Sequence, residues 1–151
     1  MFKTILAAVD GSEASNVAQD LALRLAADQH ATVVFVHAVE LSKVAASFEP
    51  FSGANASLAI DAAYDDAKAT LQSAEEAAKA LQVPCSSKTI EDECVNAILD
   101  GAREAHADLI VIGTHGRGGV VRAVLGSVAE GVARRATTPV LIARAGAWHH
   151  P

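Results

Sequence analysis

Residues 109–113 read Leu-Ile-Val-Ile-Gly and are followed by Thr114-His115-Gly116-Arg117-Gly118-Gly119. Four consecutive aliphatic residues without polar alternation are typical of a strand buried on both faces of a parallel sheet. The glycine-rich stretch that follows continues to Gly126 and predicts a loop at the carboxyl end of that strand. This segment therefore indicates the central strand of an α/β fold.

Strand and helix patterns alternate on both sides of this segment. The predicted strands are 4–9, 32–39, 85–90, 109–112 and 138–143. Four helices lie between them: one capped by Ser12, one from Ile60 to Leu81, one starting near Asp92, and one through Val128 and Val132. Residues 41–55 show no clear period and are expected to form a long loop.

This order predicts an α/β fold, a single-domain, doubly wound, five-stranded parallel sheet with helices on both faces. The expected strand order is 3-2-1-4-5. Strand 85–90 is more polar than the others and is expected at an edge. The domain is expected to span residues 1–145, with a flexible tail at 146–151.

Composition excludes several classes of protein. The chain has 151 residues, of which 51% are hydrophobic and 4% aromatic, and its net charge is −6. These values argue against disorder, nucleic-acid binding and attachment to anionic membranes. The longest run suited to a membrane, 31–39, is far below the roughly 20 residues needed to cross a bilayer. Residues 113–144 nevertheless carry five arginines and one acid, which is compatible with one anionic ligand.

Cysteine and histidine usage predicts no metal site and no catalytic centre. Cys85 and Cys94 are expected to be partly buried, reduced thiols, and His37 a core histidine of the second strand. His149 and His150 receive no function. The sequence starts without a secretory signal pattern, so we expect a cytoplasmic protein. No nucleophile, base and carboxylate can be assembled at one end of the sheet, and no catalytic residue is assigned.

The candidate site lies where the strand order reverses, between strands one and four, because ligands of open α/β sheets bind there. Asp10-Gly11-Ser12 follows strand one, and the glycine-rich loop follows strand four. Glycines allow N–H groups to approach an anion, and Gly126-Ser127 opens a helix whose N-terminus favours negative charge. The alternative is a flexible turn capped by Ser127. No Walker A or dinucleotide fingerprint is present.

These residues resemble the ATP-binding branch of the universal stress protein family. Gly113-x2-Gly116-x9-Gly126-Ser127 matches the glycine signature of that branch. Ala8-Val9-Asp10-Gly11-Ser12 resembles the start of the family, and Pro139-Val140-Leu141-Ile142 resembles its closing strand. The resemblance extends from Ile5 to Arg144. Ala8 departs from the frequent proline of the family, and Ala38 is smaller than its common valine.

The resemblance implies a cofactor-binding set and ATP as the ligand, and it leaves open whether Mg²⁺ accompanies ATP. Asp10 would accept from the adenine edge, and the backbone near Ala38 would face the base. The phosphates would lie at Gly113, Gly116, Gly126 and Ser127, with an N–H from Val128. The full set is Ala8, Val9, Asp10, Ala38, Gly113, His115, Gly116, Arg117, Gly126, Ser127 and Val128.

His115 and Arg117 are candidates for phosphate contact because a cation near the loop would attract an anion, although either side chain could simply be solvated. Valine at Gly116 or Gly126 is expected to block ATP without disturbing the fold, since the loop faces solvent.

The function expected from this resemblance is an adenine-nucleotide-binding stress-response protein that acts as a sensor or regulator through an unidentified protein partner. A weak ATPase or autophosphorylating enzyme on the same site is the first alternative. A nucleotide-free dimerisation module is the second. The apolar closing strand, 138–144, also predicts a homodimer, both from its uncovered edge and from the resemblance.

Overall fold

The computed structural model describes residues 1–47, 53–115 and 125–144. Five parallel strands are formed by β1 (Thr4–Ala8), β2 (Thr32–Ala38), β3 (Cys85–Ile90), β4 (Leu109–Gly113) and β5 (Val140–Ala143). The helices are α1 (Glu13–Gln29), α2 (Leu41–Ala46), α3 (Gly53–Ala80), α4 (Cys94–Glu104) and α5 (Ser127–Arg135). The predicted tail at 146–151 lies outside the described residues, and its flexibility stays a prediction.

The sheet order is β3-β2-β1-β4-β5, as predicted. Ile5 pairs with Val33 on one side and with Leu109 on the other, so β1 is the centre of the sheet. The chain runs outward from β1 to β3 and then returns to the opposite side of β1 for β4 and β5. This return places the reversal of strand order between β1 and β4, with the carboxyl ends of both strands on one rim.

Alternate residues of each strand pack into two cores, one on each face of the sheet. Ile5, Phe35 and Val111 pack against α1 and α3, and Leu6 and Ile110 pack against α4 and α5. Burial on both faces explains why β1, β2 and β4 lack the polar alternation of a half-exposed strand. His37 is 7% exposed within β2, which agrees with the predicted core histidine. Cys85 and Cys94 are both partly buried, as expected.

The predicted long loop at 41–55 is wrong over the residues that the structure describes there. Leu41–Ala46 is helical, and α3 begins at Gly53, well before Ile60. Six residues make fewer than two helical turns, which is too few for a helical period to be recognised in the sequence. A helix of this length is also not stable by itself. Contact with α3 stabilises it instead.

Candidate functional site

A cavity of about 940 Å³ opens over the carboxyl ends of β1, β2 and β4. Its floor is the sheet rim, one side is formed by α2 and the first half of α3, and the other by the start of α5. This volume lies within the roughly 300–1,000 Å³ of ordinary small-molecule sites. The cavity coincides with the reversal of strand order, where the sequence predicted a site.

The loop after β1 is held by a set of short hydrogen bonds. Asp10 Oδ1 accepts from the Ser12 N–H at 2.8 Å, and the Asp10 N–H donates to Ser15 Oγ at 2.9 Å. Gly11 between them has φ of 79°, a conformation that glycine adopts without steric cost. Ser12 caps α1, as predicted, by accepting from the Ser15 N–H at 3.2 Å. The Asp10 carboxylate therefore both supports the start of α1 and lines the cavity.

The loops after β1 and β4 meet at the cavity. The Ser12 hydroxyl donates to the His115 carbonyl at 3.4 Å, and the Gly126 N–H donates to the Thr114 carbonyl at 2.8 Å. His115 Nδ1 lies 3.0 Å from Thr114 Oγ1, and Thr114 is only 5% exposed. This contact orients the His115 ring at the cavity wall.

Two glycines of the signature are needed for close backbone packing. A Cβ atom on Gly113 would lie 2.6 Å from the carbonyl carbon of Ala14, and one on Gly126 would lie 2.6 Å from the Thr114 carbonyl oxygen. Such distances force the backbone to move. Valine at Gly126 would therefore shift the backbone at Thr114, which directly follows β4, and the expectation that the fold survives this substitution stays a prediction.

The start of α5 faces the cavity through Gly126, Ser127 and Val128. Gly126 is the N-cap and Ser127 is the first helical residue, so the alternative in which Ser127 caps the helix is wrong. The first N–H groups of a helix have no acceptors within it, and the helix dipole adds a partial positive charge there. This end of the cavity is consequently suited to an anionic group.

The structure gathers nine of the eleven predicted residues around the cavity. They are Ala8, Val9, Asp10, Ala38, Gly113, His115, Gly126, Ser127 and Val128. Gly116 and Arg117 lie outside the described residues. Their roles, and the binding role of the nine, stay predictions.

The wall opposite α5 was not predicted from the sequence. It is formed by Glu40, Lys43 and Val44 around α2, by Ala59, Ala62, Ala63 and Asp66 of α3, and by Cys94 at the start of α4. Glu40 could have been found, because it directly follows the strand next to β1 and so lies on the same rim as Asp10. The α3 residues carry no such signal, since small residues on a helix face also occur in ordinary cores.

Glu40 joins two parts of this wall. Its side chain is 9% exposed and forms an ion pair with Lys43, whose side chain is 72% exposed. The other carboxylate oxygen, Oε1, accepts from the Cys94 N–H at 2.6 Å. Burial favours the protonated acid, but the bonds from Lys43 and from the Cys94 N–H outweigh it, so the pKa of Glu40 lies below its ordinary value.

The Cys94 thiol is unreactive in this environment. Burial, and then the neighbouring Glu40 carboxylate, raise the pKa of Cys94 to about 12. Because the thiolate is the reactive form, the thiol is a poor nucleophile at neutral pH. Cys94 is accordingly a lining residue and not a candidate catalytic group.

The cavity therefore combines two kinds of polar group with an apolar floor. The carboxylates of Asp10 and Asp66 can accept hydrogen bonds from a ligand, while the start of α5 can hold an anion. Within residues 1–47, 53–115 and 125–144, no three His, Cys, Asp or Glu side chains cluster as a metal site would require. No helix in the same residues is long and apolar enough to cross a membrane.

Comparison with known proteins agrees with this architecture. The universal stress protein family matches residues 1–144. A universal stress protein of Methanocaldococcus jannaschii is 31% identical over 148 residues, covering 95% of this chain and 83% of the relative.

Two solved structures extend the comparison. One, from the same family in Burkholderia pseudomallei, is 32% identical with a TM-score of 0.74, covering 93% of this chain and 94% of the other. The second, a universal stress protein in complex with cyclic AMP, is 29% identical with a TM-score of 0.69, covering 96% and 98% of the two chains. The family match spans both loops of the candidate site, and the chain belongs to the universal stress protein family.

Proposed function

We propose that the cavity binds an adenine nucleotide, with ATP as the principal ligand, and that the protein regulates a partner according to its nucleotide state. One observation carries the proposal: the loop that holds Asp10 and the start of α5 line the same cavity, which is of nucleotide size. The cyclic AMP complex of the 29% identical relative supports an adenine nucleotide as the ligand class. A cytoplasmic location and a role in the stress response belong to the same proposal.

In the proposed pose the base and the phosphates of the ligand contact different parts of the cavity. The adenine amino group donates to Asp10, and the base lies against the small side chains of Ala8 and Ala38. The phosphates lie at the start of α5, where the N–H groups near Ser127 and Val128 donate to them. Mg²⁺ would accompany the phosphates as a counter-ion brought by ATP, and no protein ligand is assigned to it.

The first experiment identifies what the protein carries. Denaturing the purified chain should release an adenine nucleotide, which mass analysis of the supernatant identifies. Calorimetric titration should give a dissociation constant for ATP. The proposal would be contradicted if no nucleotide were released and ATP binding were undetectable at millimolar concentration. A dissociation constant above 1 mM means a binding free energy weaker than about −4 kcal/mol.

Asp10→Asn tests the orientation of the ligand. The amide oxygen can still accept from the Ser12 N–H, so the start of α1 is retained, while the negative acceptor for the base is lost. We expect ATP affinity to fall about tenfold and tripolyphosphate affinity to change less than about threefold. Asp20→Asn, at an exposed position of α1, serves as the matched control. Equal losses for ATP and tripolyphosphate would show that Asp10 does not contact the base.

Hydrolysis of ATP remains the alternative activity on the same site. Asp66 and Glu40 line the cavity in addition to Asp10, so the cavity holds carboxylates that were not predicted from the sequence. Glu40 is committed to Lys43 and Cys94, which makes it a poor base. A phosphate-release assay with Asp66→Asn as the negative variant separates slow turnover from binding alone.

We also propose that the protein is a homodimer formed through β5. The carbonyl groups of Pro139 and Ala143 accept at 2.9 Å from the N–H groups of Ile110 in β4 and of Thr114, which directly follows it. Because backbone groups alternate sides along a strand, the N–H groups of Val140 and Ile142 face away from β4. Outward-facing N–H groups on an apolar edge support pairing with a second copy.

A further inference from the structure

Glu40 occupies a position where three elements of the cavity wall meet. It follows β2, precedes α2, and contacts the first turn of α4, which lies 54 residues further along the chain. Its side chain is about nine-tenths buried, yet it carries a charge. A buried carboxylate is tolerated only where both oxygens have strong partners.

The partners of Glu40 are of unequal importance. Lys43 is largely exposed and lies in the same segment, so its ion pair contributes little beyond local order. The Cys94 N–H is different, because it is one of the first N–H groups of α4 and has no acceptor within the helix. Glu93, the N-cap residue, makes no side-chain capping bond, so Glu40 supplies the acceptor for the Cys94 N–H at this helix start.

This contact also fixes what surrounds the Cys94 thiol. Glu40, Lys43 and Cys94 all line the cavity, and α2 packs against α3. If the Glu40 carboxylate were absent, the N–H of Cys94 would lose its acceptor, and α2 would lose its bond to α4. α2 would then be held in the wall by its packing against α3.

We propose that Glu40 is a positioning residue of the candidate site, which fastens α2 to the first turn of α4 and thereby completes the cavity wall and shields Cys94. The part that concerns ligand affinity rests on the proposed nucleotide function. The part that concerns Cys94 does not, because it is a property of the ligand-free chain. Each part has its own measurement.

The rate of alkylation of Cys94 measures how well the cavity wall shields this thiol in the ligand-free protein. Cys85→Ser leaves Cys94 as the single thiol, and serine already occupies the next two positions of β3. In this background Glu40→Ala should react with iodoacetamide about tenfold faster or more, since both the shielding and the neighbouring negative charge are lost. Glu76→Ala, which removes an exposed carboxylate of α3 outside the cavity lining, is the matched control.

Calorimetric titration with ATP measures the second part. Glu40→Ala should bind ATP about tenfold more weakly than the Glu76→Ala control, which corresponds to about 1.4 kcal/mol. Glu40→Gln should restore most of this affinity, because its amide oxygen still accepts from the Cys94 N–H. A general loss of stability would not distinguish the glutamine variant from the alanine variant in this way. Glu40→Gln also keeps the test valid if the alanine variant does not fold.

The outcomes separate the inference from the proposed function. Alkylation of Glu40→Ala within twofold of the control would overturn the role of Glu40 in the wall. Unchanged ATP affinity with accelerated alkylation would overturn its role in ligand binding. If the unmodified chain does not bind ATP, the proposed function and the affinity part fail together, while the alkylation rates still decide whether Glu40 fastens α2.

Discussion

At the scale of single residues, carboxylates with backbone partners organise this molecule. Asp10 accepts from Ser12, Glu40 from Cys94, and Asp108 from Lys3 and Thr4. Each joins a strand end to the start of a neighbouring element. A carboxylate that accepts from N–H groups is stabilised in its charged form, so the contacts of Glu40 and Asp108, whose pKa values are lowered, couple the fold to pH.

Asp108 gives the clearest test of this coupling. Its Oδ2 atom accepts from the Lys3 and Thr4 N–H groups at 2.7 and 2.9 Å, and these two bonds lower the pKa of Asp108 below its ordinary value of 3.8. Because the folded pKa is depressed, its stabilising contribution is present above pH 3.8 and is lost as pH falls through the folded pKa. Asp108→Ala should therefore lower Tm at pH 7, and the deficit should shrink below pH 4.

Thermal melts by circular dichroism from pH 3 to pH 7 measure this effect, with Asp20→Ala on the exposed face of α1 as the control. A Tm deficit of Asp108→Ala that stays constant across the range would show that its carboxylate charge does not contribute.

At the scale of elements, small residues set how closely helices approach. A Cβ atom on Gly131 of α5 would lie 2.8 Å from Cγ2 of Val95 in α4. One on Gly101 of α4 would lie 2.9 Å from Cγ2 of Val36 in β2. Glycine inside a helix costs about 1 kcal/mol relative to alanine, so close packing is the reason for its presence at these positions. The two helices covering this face of the sheet therefore depend on their glycines for contact.

A double-mutant cycle tests the contact between α4 and α5. Gly131→Ala alone should destabilise the protein by roughly 1–2 kcal/mol, because overpacking exceeds the gain in helix propensity. In a Val95→Ala background the obstructing methyl groups are absent, and Gly131→Ala should be neutral or stabilising by up to about 1 kcal/mol. Urea unfolding monitored by circular dichroism gives both values. Additive effects of the two substitutions would contradict the contact.

At the scale of the whole molecule, the two edges of the sheet differ in their chemistry. Edge strand β3 carries Lys88 and two serines, whereas β5 is aliphatic from Val140 to Ala143. Charged residues on an edge hinder pairing with other chains, and an apolar edge favours it. The asymmetry favours self-association through β5 alone. In such a dimer each copy would keep its candidate cavity at the carboxyl rim of its own sheet.

Light scattering at tens of micromolar should therefore give a mass near twice 15.5 kDa. Ile142→Pro should shift the mass toward the monomer, because the N–H that it removes faces away from β4 and the ladder within the sheet is kept. Thr89→Pro on β3, whose N–H also faces away from the neighbouring strand, is the matched control for loss of an edge N–H. A monomeric mass for the unmodified chain would contradict dimerisation through β5.

The sequence by itself determined the order of the five strands and of the four helices that connect them, the parallel sheet and the location of the candidate site. Strand periods, the Ser12 cap and the glycine loop are local signals, because each depends on residues within one or two turns of each other. The carboxyl ends of β1 and β4 could be placed together because right-handed crossovers leave few topologies for this alternation.

Only the tertiary structure decided that residues 41–46 are helical, that Glu40, Lys43 and Cys94 complete a wall, and why Gly113 and Gly126 are glycine. Each of these depends on contact between segments far apart in the chain. Glu40 has no local pattern that marks it as buried, because its partner at Cys94 comes 54 residues later. Such contacts form only once the sheet has brought its strand ends to one rim, and no period in the sequence encodes them.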